Sequence, residues 1–157
     1  MNSPRLRIVL ASDSLDPSGL GEHMLTLGRA LKGMFDITLA LPDSSSNDFL
    51  VRAARAGLAI KTIGDRDDFE HWLRLKRVSL LHVHAGIGWE GHDIARAGVA
   101  CGMPVIRTEH LPYLLTDTVQ TEQYHREVET VSHHIVVSEA SRASFEDNGV
   151  EIGRAHV

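Results

Sequence analysis

Residues 80–110, LLHVHAGIGWEGHDIARAGVACGMPVIRTEH, decide the fold, because they read as strand, helix, strand. Leu80 to His84 and Pro104 to Thr108 are short runs of strand length, and Glu90 to Cys101 between them carries a longer helical pattern. Two strands joined through a helix form a βαβ unit, which places them side by side in a parallel sheet.

The same alternation continues outward in both directions. Upstream, Arg7–Ser12, Asp36–Leu41 and Ala59–Ile63 read as strands. The helices between them are Gly21–Met34, with Met24, Leu25, Leu27, Leu31 and Met34 on its apolar face, and Asp48–Ala56, closed by Gly57. Pro42-Asp43 and the polar run Ser44-Ser45-Ser46-Asn47 separate the second strand from the second helix. A third helix, Asp67–Arg77, carries Phe69, Trp72, Leu73 and Leu75, and Trp72 is accounted for as an apolar-face residue. Downstream come a polar helix over Thr118–Ser132, a strand His134–Ser138 and a helix Glu139–Asp147 ending at Asn148-Gly149. The expected architecture is α/β: a doubly wound, Rossmann-like parallel sheet in three α/β/α layers, with order 3-2-1-4-5-6 and right-handed crossovers. Residues 1–150 are expected to form one domain. Residues 151–157, Glu151-Ile-Gly-Arg-Ala-His-Val157, resemble a translated sequencing adapter and are expected to be a non-native tail.

The bulk properties narrow the function. The chain has 157 residues, 43% apolar and 24% charged, which suits one globular domain. Its net charge of −5 disfavours non-specific nucleic-acid binding, which needs a positive field. Cys101 is the only cysteine, so no internal disulfide forms and a cytoplasmic location fits. No apolar run reaches the ~20 residues that span a bilayer. Arg66, Arg74, Lys76 and Arg77 give the third helix a mildly basic face, which leaves open a peripheral contact with anionic lipid at the inner membrane face beside the plainer reading of a solvated surface.

In a doubly wound sheet, ligands bind beyond the C-terminal strand ends, so the residues just after each strand are the candidates. After the first strand, Asp13 to His23 is a glycine-containing loop feeding a helix N-terminus, where a phosphate is favoured. A dinucleotide fingerprint needs its first glycine tight against the strand. Here Gly19 lies seven residues past Ser12, and Gly19-Leu-Gly21-Glu-His-Met24 lacks the third glycine. His82 and His84, two apart, point to one side of the fourth strand. His-x-His alone, even with His92 and His110 nearby in sequence, shows no recognised metal-ligand spacing, and no metal site is expected. Thr108-Glu109-His110 ends the fifth strand, and a loop histidine beside a carboxylate can donate to an oxygen or phosphate. Ser138 reads as the N-cap of the last helix, and Arg142 one turn in either reaches the cleft or solvates the surface.

Four segments, in this order, resemble the N-terminal domain of glycosyltransferase family 4, retaining enzymes of the GT-B fold. Gly19 to Leu31 is similar to the family's glycine loop and leucine-rich helix, and Leu80-Leu-His82-Val-His84 to its Val-His-Val-His strand. Ala97 to His110 resembles its Gly-x-Pro-Val strand with a Thr-x-His end, and His134 to Arg142 its Val-Ser-Glu strand and helix.

The resemblance implies the acceptor-side half of an enzyme that moves a sugar from a nucleotide-diphosphate sugar to a carbohydrate, lipid or small-molecule acceptor. It implies no cofactor and no obligatory metal. Gly19 and Gly21 would lie near the donor diphosphate, and His110 would contact the transferred sugar. His84 and Glu22 would line the acceptor side, with Glu109, Ser138 and Arg142 as further cleft residues. Ser18-Gly19-Leu20-Gly21 departs from the adjacent glycines found in many members. The donor-binding C-terminal domain lies outside this sequence, so the fragment alone is expected to be inactive. The rival reading is a non-catalytic Rossmann-like module that binds a nucleotide or carbohydrate.

Overall fold

The structure is a computed structural model, and it describes residues 4–14, 18–43 and 47–153. The expected readings on residues 15–17, 44–46 and 154–157 lie outside the described residues. Six strands, β1 (Arg7–Ala11), β2 (Asp36–Pro42), β3 (Ala59–Ile63), β4 (Leu80–Ala85), β5 (Val105–Glu109) and β6 (His133–Val136), form one sheet. Between and after them come α1 (Ser18–Leu31), α2 (Asn47–Arg55), α3 (Arg66–Leu75), α4 (His92–Ala100), α5 (Thr118–Val128) and α6 (Glu139–Asp147). The sheet is parallel throughout, in the expected order β3-β2-β1-β4-β5-β6.

The pleat sorts the core into two faces, since successive side chains point opposite ways. Val9, Ala11, Leu81, Val83 and Val105 pack with Phe69 and Leu73 of α3 and Ile94 of α4. Leu10 and Leu39 pack on the other face with Met24 and Leu25 of α1 and Phe49 of α2. A third cluster at the β6 edge joins Leu115, Tyr124, Val136, Phe145, Val150 and Ile152. Each buried side chain of this size contributes about 1.5–3 kcal/mol by leaving water.

Several boundaries differ from expectation for local reasons. Helix α1 starts at Ser18, a turn earlier than the pattern from Gly21, because buried Leu20 extends the Met24 stripe by i, i+4. Gly19 and Gly21 are therefore first-turn helical residues rather than loop residues. Helix α5 ends at Val128, not Ser132; the Thr130 hydroxyl and amide both donate to Glu127 O, closing the chain into a turn. Strand β5 runs one residue past Thr108, to Glu109. Ser138 is the expected N-cap of α6, and Asp65 and Asp117 cap α3 and α5 in the same way; each accepts a backbone N–H three residues on. Among the described residues no helix is long and apolar enough to cross a membrane.

Candidate functional site at the carboxyl edge of the sheet

The strand order reverses between β1 and β4, which is where a doubly wound sheet opens its crevice. A cleft of about 410 Å³ lies there, lined by Ser14 after β1, Gly19 of α1, Gly86 and Glu90 after β4, and His110 after β5. Two larger hollows lie elsewhere. One of about 530 Å³ runs beside His133 and Gly153, and one of about 760 Å³ lies at the opposite sheet edge by Arg7 and Asp36. Topology, not size, singles out the first.

The loops around this cleft are fixed by carboxylates. Glu90 Oε2 accepts from Gly86 N at 2.7 Å, folding the 86–90 turn onto itself. Asp13 Oδ2 accepts from Gly91 N at 2.8 Å, tying the β1 loop to the start of α4. Gly91 has φ +80°, and a Cβ there would sit 2.6 Å from Val83 Cγ1 and 3.1 Å from an Arg107 nitrogen. Only glycine suits that position.

Below the cleft lies a cluster of imidazoles. Leu81 and Val83 face α3 and α4, so His82 and His84 face α1, with their rings stacked at 4.1 Å. On the same face of β5, Thr108 Oγ1 lies 2.7 Å from His82 Nε2, and His110 Nε2 lies 3.1 Å from His84 Nδ1. His23, one turn beyond Gly19 on α1, sets its ring centroid 4.9 Å from that of His110 and 5.6 Å from that of His84. His84 is 0% exposed, and its Nε2 has no hydrogen-bond partner among the described residues. Burial, then the neighbouring imidazoles, pushes its pKa well below the usual histidine value. His82 and His110 are both pushed down to about 4, by burial first and then by His23. The cluster is therefore neutral at pH 7 through His82, His84 and His110, which act as hydrogen-bonding groups rather than cations.

Glu109 does not join it. The pleat that turns His110 toward α1 turns Glu109 to the opposite face, where it is 1% exposed. Arg107 Nε donates to its Oε1 at 2.5 Å, Tyr124 Oη donates at 2.9 Å, and His134 Nε2 lies 3.1 Å away. Burial alone would raise its pKa, but the Arg107 charge and these hydrogen bonds outweigh it and hold it at about 2. The expected cleft role for Glu109 is thus replaced by a buried ion-pair network.

The remaining expected residues divide. Gly19, His84 and His110 are brought together, with Gly21 buried in the same helical turn. Glu22 lies on the outside of α1, an exposed carboxylate paired with Arg52 at 2.5 and 2.7 Å. Ser138 and Arg142 line a separate hollow of about 240 Å³ with Ile152, and Arg142 donates to Glu146. On α3, Arg74 is engaged by Glu70 and Ala100 O, and Arg66 by Asp67. Sequence reasoning missed His23, His82's partner Thr108, and Glu90. The available signal for His23 was its i, i+4 spacing from Gly19 on one helix face; Glu90 gave none.

With this geometry in place, comparison with known proteins bears on the fold. A glycosyltransferase from Rickettsia africae superposes with a TM-score of 0.74 at 8% identity, over 95% of this chain and 41% of its own. Anabaena HepE, in complex with UDP and glucose, gives 0.71 at 12% identity, over 93% and 42%. A Listeria monocytogenes protein described as a UDP-N-acetylglucosamine 2-epimerase gives 0.69 at 8%, over 95% and 43%. The chain thus spans about two fifths of the length of these proteins. No family model and no curated protein sequence matches it. The fold and cleft define a Rossmann-like α/β domain. Its particular form is the one found within these GT-B enzymes.

Proposed function

We propose that this chain is the N-terminal, acceptor-side half of a retaining, nucleotide-sugar-dependent glycosyltransferase resembling family 4, which needs no obligatory metal for the transfer. The observation that carries this is the meeting of Gly19 and His110 on one cleft at the strand-order reversal. A Cβ on Gly19 would meet nothing within 4 Å among the described residues, so the packing of those residues does not require glycine there. A helix first turn without a side chain lets a diphosphate come up against the backbone N–H groups. His110, neutral with Nε2 against His84, offers Nδ1 to a hydroxyl of the sugar being transferred. Holding that sugar in line with the departing diphosphate contributes to rate through geometry. Nucleotide and base contacts would come from a second domain, and a carbohydrate, lipid or small-molecule acceptor would enter the cleft lined by Gly86, Glu90 and His110, above the buried His84.

The test is His110→Ala in the complete enzyme, with turnover and melting measured together. Turnover should fall roughly 10²-fold or more, while stability should fall by only about 1–2 kcal/mol, the cost of leaving His84 Nδ1 unpartnered. Near-normal turnover would reduce His110 to a structural residue.

A further inference from the structure

The three imidazoles that meet from three elements have a second use, independent of the glycosyltransferase reading. One nitrogen each from His23 of α1, His84 of β4 and His110 after β5 lie within 4.8 Å of one another. Tetrahedral zinc with Zn–N near 2.05 Å sets its nitrogen ligands about 3.3 Å apart. The His84–His110 pair already stands at 3.1 Å. His23 is exposed on the first turns of a helix, so its ring is free to swing the remaining distance.

We propose that His23, His84 and His110 form a three-imidazole site for a divalent transition-metal ion of the zinc class. Imidazole suits zinc, copper and nickel, whereas magnesium and calcium demand oxygen ligands that this set lacks. The ring of His84 is held from below by the stacked His82, which Thr108 anchors in turn. His84 would ligate through Nδ1, the nitrogen that faces His110 at 3.1 Å. The set is closed beneath by His84 and open above, where His23 is exposed and His110 borders the cleft. Three protein nitrogens leave a fourth position facing the cleft, which takes a water, a hydroxyl or a phosphate oxygen. The ion would sit on Nε2 of His110, the nitrogen that faces His84, and leave Nδ1 unligated.

The experiment is calorimetric titration of the chelator-treated 157-residue chain with zinc chloride, paired with the visible spectrum of its cobalt(II) form. One ion per chain and the intense bands of tetrahedral cobalt are expected. His23→Ala and His110→Gln should each weaken binding roughly 100-fold or more, above the 10–100-fold typical of losing an outer-shell partner. His71→Ala and His133→Ala, at exposed positions outside the cluster, should leave it unchanged. Absence of stoichiometric binding, or binding that survives either cluster variant, overturns the site. Both cluster variants keep the buried His84, so melting curves without metal check that each still folds. Because the readout is metal bound rather than sugar transferred, it stands or falls separately from the proposed function.

Discussion

At the residue scale, Gly19 and Glu109 show how two residues of similar promise in sequence separate in the fold. Replacing Gly19 by alanine adds a methyl group that meets none of the described residues within 4 Å, and should raise stability by about 0.4–1 kcal/mol. The proposed function predicts a cost elsewhere: in the complete enzyme, Gly19→Ala should weaken use of the donor severalfold. An unchanged donor KM would remove Gly19 from the diphosphate site. Glu109 behaves in the opposite way. Arg107 and Glu109 are each 1% exposed, so Glu109→Ala strands a buried guanidinium. Denaturant unfolding should show a loss of about 3–5 kcal/mol, the range for breaking a buried pair. A loss below about 1 kcal/mol would show that the network carries little of the fold's stability.

At the element scale, β4, β5 and α1 share the imidazole cluster, and their packing should depend on pH. An unfolded histidine takes up its proton near pH 6.5, whereas His82 and His110 do so only near pH 4. Between those values the unfolded chain binds more protons, so stability falls as pH drops from about 6.5 toward 4. Glu109 adds a second loss below that, as pH falls from about 4.5 through its folded value of about 2. Thermal melts across this range should show both, and His82→Gln should flatten only the upper one. A melting temperature flat from pH 7 to 4 would contradict the buried, neutral cluster. The turn into α4 is a separate test. Gly91→Ala forces a Cβ against Val83 at a positive φ, and should cost at least about 1–3 kcal/mol.

At the scale of the whole molecule, the sheet has helices and apolar clusters on both faces, so its own residues bury a core on each side of it. The chain should unfold in one cooperative transition. On the proposed function it should show no turnover with any nucleotide sugar, and should bind free UDP or GDP with a Kd weaker than about 1 mM, because that reading assigns the base-binding pocket to a second domain. Tight nucleotide binding by this chain would overturn the two-domain reading in favour of a self-sufficient binding module.

The sequence by itself determined the elements and their order. Helical and strand periodicities are local, and the βα alternation leaves few ways to wind a parallel sheet, so β3-β2-β1-β4-β5-β6 was legible before any coordinates. It also placed His84 and His110 near the carboxyl edge of the sheet, since position along a strand is a sequence property. Ends of elements were less legible: Leu20 alone moves the start of α1, and that depends on burial. Only the tertiary structure decided which side chains meet. His23 joins His84 and His110 from 61 and 87 residues away in sequence, because α1 packs on the face of β4 and β5 that carries them. Glu109 leaves its neighbour His110 for Arg107, Tyr124 and His134, because a strand sends adjacent side chains to opposite faces. Spacing along the chain gives the face a side chain takes, but which partners it meets there is set by packing between elements.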